Sequence, residues 1–178
     1  LDWNTLDGDG EINTNATLPG GNGDTGLHGI GTSDGNARCT IIKSWLGRLV
    51  MAGKADEPQN WFMSAVGDAT DFDPDSASPG ASVWGSKSEN IGEISDPIIA
   101  IAPSIDNRLI ISTSNYIYAM TGDPLWDGTQ LVSISTEVGF IGPDAWCYGP
   151  NRVLYFMGPN GLYALAPNEF NITQTNRL

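Results

Sequence analysis

The amino-acid sequence predicts an all-β protein made of short antiparallel strands. Gly and Pro account for 22 and 11 of the 178 residues, which is typical of chains with many short strands and turns. No stretch carries apolar residues at helical spacing over three turns, so almost no helix is expected. The third observation is a repeat: NRLIISTSNYIYAMTGDP at 107–124 returns as NRVLYFMGPNGLYALAPN at 151–168.

The repeat also predicts how the strands are grouped. Each copy opens with Asn-Arg and an apolar residue and restarts at an Asn, and the pair GRLVMAG and NWFMSAVGD (47–53 and 60–68) forms an earlier copy. Arg48 and Arg108 are 60 residues apart and Arg108 and Arg152 are 44 apart, whereas the Asn markers at 60, 115 and 160 give spacings of 55 and 45. Roughly 40–50 residues holding about four short strands is typical of a β-propeller blade. We therefore expect about three propeller-like blades, each stacked on its neighbours because one sheet cannot bury both of its faces.

The elements follow in chain order. Residues 1–38 are rich in Gly and Asp and are predicted to be an irregular loop or insertion. Residues 39–178 are predicted to form the blades, with a loop insertion at about 68–90 that explains the longer first spacing. The predicted strand runs are CTIIKSW, RLVMA, WFMSAV, DPIIAIAP, RLIISTS, YIYAMTG, QLVSISTEVG, AWCYG, RVLYFMG, LYALAP and FNITQT.

The charge balance excludes some classes of partner. Eight basic and 21 acidic side chains give a net charge of −13. Such a surface repels nucleic acid phosphates and anionic membranes, which excludes a DNA-binding protein that reads sequence. It is compatible with a surface that DNA must pass without adhering. No apolar run approaches the roughly 18 residues of a membrane-spanning helix, and a first residue other than Met suggests a piece of a longer chain.

The arginines at the start of the repeated strands (Arg48, Arg108, Arg152 and Arg177) have two interpretations. They are either solvated charges or structural partners of loop carboxylates, or they contribute to a binding site.

One acidic motif has partial metal-site character. Asp7, Asp9 and Glu11 in DGDGE match part of a calcium loop. The first and twelfth positions of that loop would be Thr5 and Ala16, which lack the carboxylates that Ca²⁺ requires. An acidic loop is the favoured interpretation, and Ca²⁺ is the only cofactor for which the sequence offers any candidate ligands.

No catalytic constellation can be recognised, and no catalytic residue is predicted. The single histidine, His28, lies in a Gly-rich loop without a nucleophile motif. Cys39 and Cys147 match no metal or redox spacing, so they are either one disulfide or two separate buried residues. Trp3, Trp84 and Trp126 fall in predicted loops and are the candidates for a contact surface.

A further set of motifs carries a family resemblance. Their order is GRLVMAG, then NWFMSAVGDATDFD, then ISDPIIAIAPSIDNRLIISTSNYIYAMTGDP, then STEVGFIGPDAWCYGPNRVLYFMGPNGLYAL. Over roughly residues 40–167 this order resembles the propeller-bearing virion structural proteins of tailed bacteriophages. The Gly-Asp-x-x-Asp-Phe step, the Ile-x-Ala-Ile strand and the Gly-Asp-Pro exit carry the likeness.

The resemblance implies a non-enzymatic tail subunit, most similar to the nozzle of a short-tailed phage. Such a subunit is assembled in the host cytoplasm and resides in the virion tail. It forms a ring of copies, usually hexameric, beside adaptor and fibre proteins and around a channel through which DNA passes without sequence recognition. No membrane insertion is implied. The alternative from a different class is a secreted propeller that binds or cleaves carbohydrate, with the loop tryptophans and carboxylates as its site.

Overall fold

The computed structural model describes residues 39–74, 80–105 and 107–175. They form three four-stranded antiparallel sheets in which neighbouring strands follow chain order. The first sheet holds β1 (Ile41–Trp45), β2 (Arg48–Ala52), β3 (Trp61–Met63) and β4 (Val83–Trp84). The second sheet holds β5 (Ala100–Pro103), β6 (Arg108–Ser112), β7 (Ile117–Thr121) and β8 (Gln130–Ser135). The third sheet holds β9 (Trp146–Tyr148), β10 (Leu154–Gly158), β11 (Gly161–Leu165) and β12 (Ile172–Gln174).

The predicted all-β class is confirmed. The only helical element in the described residues is a three-residue 3₁₀ turn, Gly85–Lys87. The stretch at about 68–90, predicted as a loop insertion, also contributes the two-residue strand β4 that completes the first sheet. The described residues therefore form three similar antiparallel sheets that follow one another along the chain.

The two repeat copies form the same part of consecutive sheets, namely the second and third strands, but with a shift of 45 residues. Asn107 and Arg152 both have left-handed backbones, with φ of 63° and 62°. The amide of Ser104 bonds to the carbonyl of Arg108, just as the amide of Gly149 bonds to that of Val153. Matching the Asn-Arg pairs gave a shift of 44 residues, which is wrong by one, so Val153 is the structural counterpart of Arg108.

The second sheet lies between the other two and is covered on both faces. Leu109 and Ile111 on β6 pack with the first sheet. Ile110 on the same strand, together with Ala119 on β7, packs with the third sheet. Adjacent residues of a strand point to opposite faces, so a nearly continuous apolar run such as RLIIS is what a strand buried on both sides requires.

The first strands of the sheets converge. β1 and β5 lie in contact, and the ammonium of Lys43 on β1 lies 2.9 Å from the carboxylate of Asp144, just before β9. The Lys43 ammonium also lies 5.3 Å from the centre of the Trp146 ring on β9. The first strands of the first and second sheets are therefore in contact, and Lys43 links the first sheet to the start of the third.

The outward face of the first sheet is covered by its own chain. Met51 and Phe62 pack there with Phe72, and all three are buried. Trp84 closes this cluster, because its indole N–H donates to the carbonyl of Phe72 at 3.0 Å and its ring meets Phe62 edge-on at 5.4 Å.

Candidate interaction surface

A buried arginine joins the first sheet to the second. The guanidinium of Arg48 binds both carboxylate oxygens of Asp123, with N–O distances of 3.0–3.1 Å. Its remaining terminal nitrogen donates to the carbonyls of Ser64 and Ala81 at 2.7 and 2.6 Å. The two-pronged geometry suits the planar fork of arginine and would not be reproduced by lysine. We refer to the contact between Arg48 and Asp123 as the first clasp.

The local chain explains why the acceptor is in place. Gly122, with φ of 84°, turns the chain after β7. Asp123 then accepts a hydrogen bond from the amide of Leu125 at 3.0 Å, which fixes the carboxylate in a turn. The two-residue Gly-Asp step is thus both the exit of a hairpin and the receptor for an arginine of the preceding sheet.

A second arginine repeats this contact between the second and third sheets. Arg108, at the start of β6, donates to the carbonyls of Ala166 and Glu169, which follow β11. Its guanidinium also lies 5.3 Å from the centre of the Phe170 ring. This second clasp uses main-chain carbonyls where the first uses a carboxylate, but it joins the same places in consecutive sheets.

These contacts decide between the two interpretations of the arginines at two positions. Arg48 and Arg108 are buried, and Arg48 is the structural partner of a loop carboxylate. Arg152 is exposed. It lies one residue before the position equivalent to Arg108 in the third sheet, which Val153 occupies. Sequence reasoning did not identify Asp123, although the Gly-Asp step recurs at 67–68 and 122–123 and could have indicated it.

The outward face of the third sheet is apolar and exposed. Strand register places Cys147, Tyr155 and Ala164 in one row and Met157 opposite Leu162 in the next. Met157 is 41% exposed and Leu162 is 40% exposed. The five residues carry no charge, although the protein as a whole has a net charge of −13. We call them the open face; its counterpart on the second sheet is buried against the third sheet.

The structure places the predicted contact residues in different settings. Trp126 is 66% exposed, in the turn that carries Asp123. Trp84 is half-buried in the cluster that covers the first sheet. Trp3 lies outside the described residues.

No metal centre is found in the described parts of the chain, where no three His, Cys, Asp or Glu side chains are grouped to hold an ion. The weak metal candidates Asp7, Asp9 and Glu11 lie outside the described residues, as does His28.

The two cysteines are not bonded to each other. Cys39 is partly buried, and this burial raises the pKa of its thiol to about 11. Cys147 is exposed, on the open face. The prediction of two separate residues is right on the absence of a bond, and the prediction of burial is wrong for Cys147.

Comparison with known proteins identifies no relative. No protein-family model matches the chain, and no curated protein sequence matches it significantly. In the described part of the chain, no helix is long and apolar enough to cross a membrane.

Proposed function

We propose that the chain is a non-enzymatic structural subunit of a bacteriophage tail, similar to a nozzle protein. Its three sheets act as consecutive blades of a β-propeller and form part of the wall of the channel for genome delivery. The observation that carries the proposal is the serial stacking of equivalent sheets, each joined to the next by a clasp at the same position.

The stacking supports a role as a rigid wall. Each internal joint combines an apolar contact with a buried arginine that crosses it. Removing one partner of a buried ion pair is costly, so the joint resists partial opening. The contact of Lys43 with Asp144, which links the first sheet to the start of the third, supports an arrangement of blades around a common axis.

The charge supports a lumen that DNA can pass. The net charge of −13 opposes adhesion of phosphates, because a DNA-binding surface gains its affinity from basic side chains. The virion location, the ring of copies and the neighbouring tail proteins are proposals that follow from the family resemblance.

The open face supports assembly with a further unit. Two strongly acidic proteins repel each other, so close contact is favoured through an uncharged patch. The open face is such a patch, and it continues the series of faces by which the sheets already stack. In this proposal it receives a neighbouring subunit or blade.

Negative-stain imaging and sedimentation of the purified protein test the proposal. We expect rings or tail-like assemblies from the unaltered chain. Leu162→Arg, which places a charge on the open face, should shift the distribution to smaller species. Ile105→Arg changes a similarly exposed residue, in the turn between β5 and β6, and should leave the assemblies intact. A chain that stays monomeric at every concentration, or assemblies that tolerate Leu162→Arg, would contradict the proposal.

A further inference from the structure

A cleft separate from the open face lies between the second and third sheets, next to the second clasp, because Phe170 both lines the cleft and contacts Arg108. Its volume is about 680 Å³, within the range of about 300–1,000 Å³ that small-molecule sites occupy. One wall is the end of β8 and the turn that follows it, and the other is formed by the β10–β11 turn and the segment around β12. Neither the stacking of the sheets nor the proposed role in a tail accounts for it.

The walls of the cleft are held in place by hydrogen bonds. The hydroxyl of Ser135 accepts from the amide of Val138 at 3.1 Å, which fixes the turn after β8. On the other wall, the side-chain amide of Gln174 donates to the carbonyl of Asn160 at 3.0 Å, which ties β12 to the β10–β11 turn. The backbone of both walls is therefore fixed before a ligand binds, which lowers the entropic cost of ordering the walls.

Three lining side chains have polar groups available to a ligand. Glu137, Asn160 and Asn171 are exposed, and no hydrogen bond joins their side-chain groups to another described residue. Each amide offers both a donor and an acceptor, and the carboxylate offers acceptors. Phe170 adds an aromatic ring that is 44% exposed.

The charge of the lining narrows the class of ligand. Glu137 is the only acidic side chain among the lining residues, and no Lys, Arg or His lines the cleft. The nearest cation, Arg108 behind the Phe170 ring, is buried and bonded to the carbonyls of Ala166 and Glu169, so the lining itself offers phosphates and other anions no counter-charge. One carboxylate is too few for a calcium site and for glycoside hydrolysis, which requires a pair of carboxylates. A mostly polar lining also disfavours a lipid or another apolar ligand.

We propose that this cleft binds an uncharged saccharide and does not cleave it. Sugar hydroxyls act as both donors and acceptors, so the Asn160 and Asn171 amides and the Glu137 carboxylate can pair with them. The apolar C–H side of a sugar ring packs on the exposed ring of Phe170. This binding function is independent of whether the chain is a tail subunit.

Backbone-amide NMR with neutral oligosaccharides tests the inference. The probes are maltohexaose, cellohexaose, mannohexaose and chitohexaose, each titrated to millimolar concentration. We expect at least one of them to shift the amides of 135–138 and 170–174. Asn171→Ala and Asn160→Ala should each weaken that binding about tenfold. Intact probe after prolonged incubation is the expected result for a binding site without hydrolysis.

A matched control comes from the preceding sheet. Asn115 is exposed in the β6–β7 turn and is the counterpart of Asn160 at the shift of 45 residues, so Asn115→Ala should leave the affinity unchanged. The proposal is overturned if no probe shifts these amides, or if Asn160→Ala and Asn115→Ala have equal effects. Shifts caused by an uncharged Gly/Ser/Asn peptide and by none of the saccharides would also overturn it.

Discussion

Replacing Arg48 by Met should destabilise the protein far more than a typical substitution of a charged residue. The variant keeps an unbranched side chain in the joint but removes the guanidinium. The Asp123 carboxylate then remains mostly buried without a cation, and the carbonyls of Ser64 and Ala81 lose their donor. Breaking one side of a buried ion pair costs about 3–5 kcal/mol. We expect a loss of about 4 kcal/mol, which lowers Tm by about 8–16 °C in a protein of this size.

A double-mutant cycle separates the pair from its surroundings. Asp123→Asn alone leaves Arg48 without its anion, whereas the double variant leaves no buried charge uncompensated. The combined loss should therefore fall short of the sum of the single losses by at least about 1.5 kcal/mol. Lys43→Met is the control, because Lys43 also joins two sheets but pairs with Asp144, whose side chain is 82% exposed. The Lys43→Met variant should lose no more than about 1 kcal/mol of its free energy of unfolding.

Urea unfolding followed by tryptophan fluorescence measures these differences. Trp45 and Trp61 are buried in the core between the first and second sheets, so their emission reports on this joint. The reasoning is refuted if the free energy of unfolding of Arg48→Met lies within about 1 kcal/mol of that of the unaltered protein. It is also refuted if the losses of Arg48→Met and Asp123→Asn add up to the loss of the double variant.

Three further predictions concern the second joint and the thiols. Arg108→Met should cost about 1.5–3 kcal/mol in urea unfolding, because the carbonyls of Ala166 and Glu169 lose their donor; a loss below about 0.5 kcal/mol would contradict this. Gly139→Ala places a Cβ 1.9 Å from the carbonyl oxygen of Thr113 and should lower the free energy of unfolding by about 1–3 kcal/mol in the same assay. Gly142→Ala is the control, because its added Cβ meets no atom closer than 3.9 Å, and it should be nearly neutral. Alkylation at pH 8 followed by mass spectrometry should modify Cys147 before Cys39. The Cys39 thiol has a pKa of about 11, so only about one part in a thousand of it is ionised at that pH. Equal rates at the two cysteines would contradict the burial of Cys39.

Much of the strand content could be predicted because short apolar runs between turn residues leave few alternatives. RLVMA forms a strand with the bounds that the sequence indicates, and the predicted run RLIISTS forms the strand Arg108–Ser112, two residues shorter. The strand β4 was not predicted, because two residues between Gly-rich and Ser-rich neighbours carry no alternation. Trp84 was assigned to a loop for the same reason, and tertiary packing brought it against Phe62.

The repeat was recognised, but its two markers gave different registers: the Asn-Arg pairs gave 44 residues, and Asn115 and Asn160 gave the correct 45. Matching Asn-Arg dipeptides compares local identity, whereas burial of alternate residues decides the register. Leu154 and Phe156 face the second sheet, and this makes Val153 the counterpart of Arg108.

The sequence could indicate a loop carboxylate as a partner of Arg48, but it could not indicate which carboxylate. The first clasp joins residues 75 positions apart, and only the stacking of two sheets brings them together. The cleft also lies between elements of different sheets, so no local pattern in the sequence announced it.

Native-state hydrogen exchange, resolved to single amides, tests the central claim most directly. The second sheet lies between the other two, so the amides of β6 and β7 should exchange most slowly and only through global unfolding. Those of β10 and β11 should exchange faster, because the open face leaves one side of their sheet uncovered. Slower exchange in β10 and β11 than in β6 and β7 would show that the second sheet is not the covered middle layer, and would contradict the serial stacking.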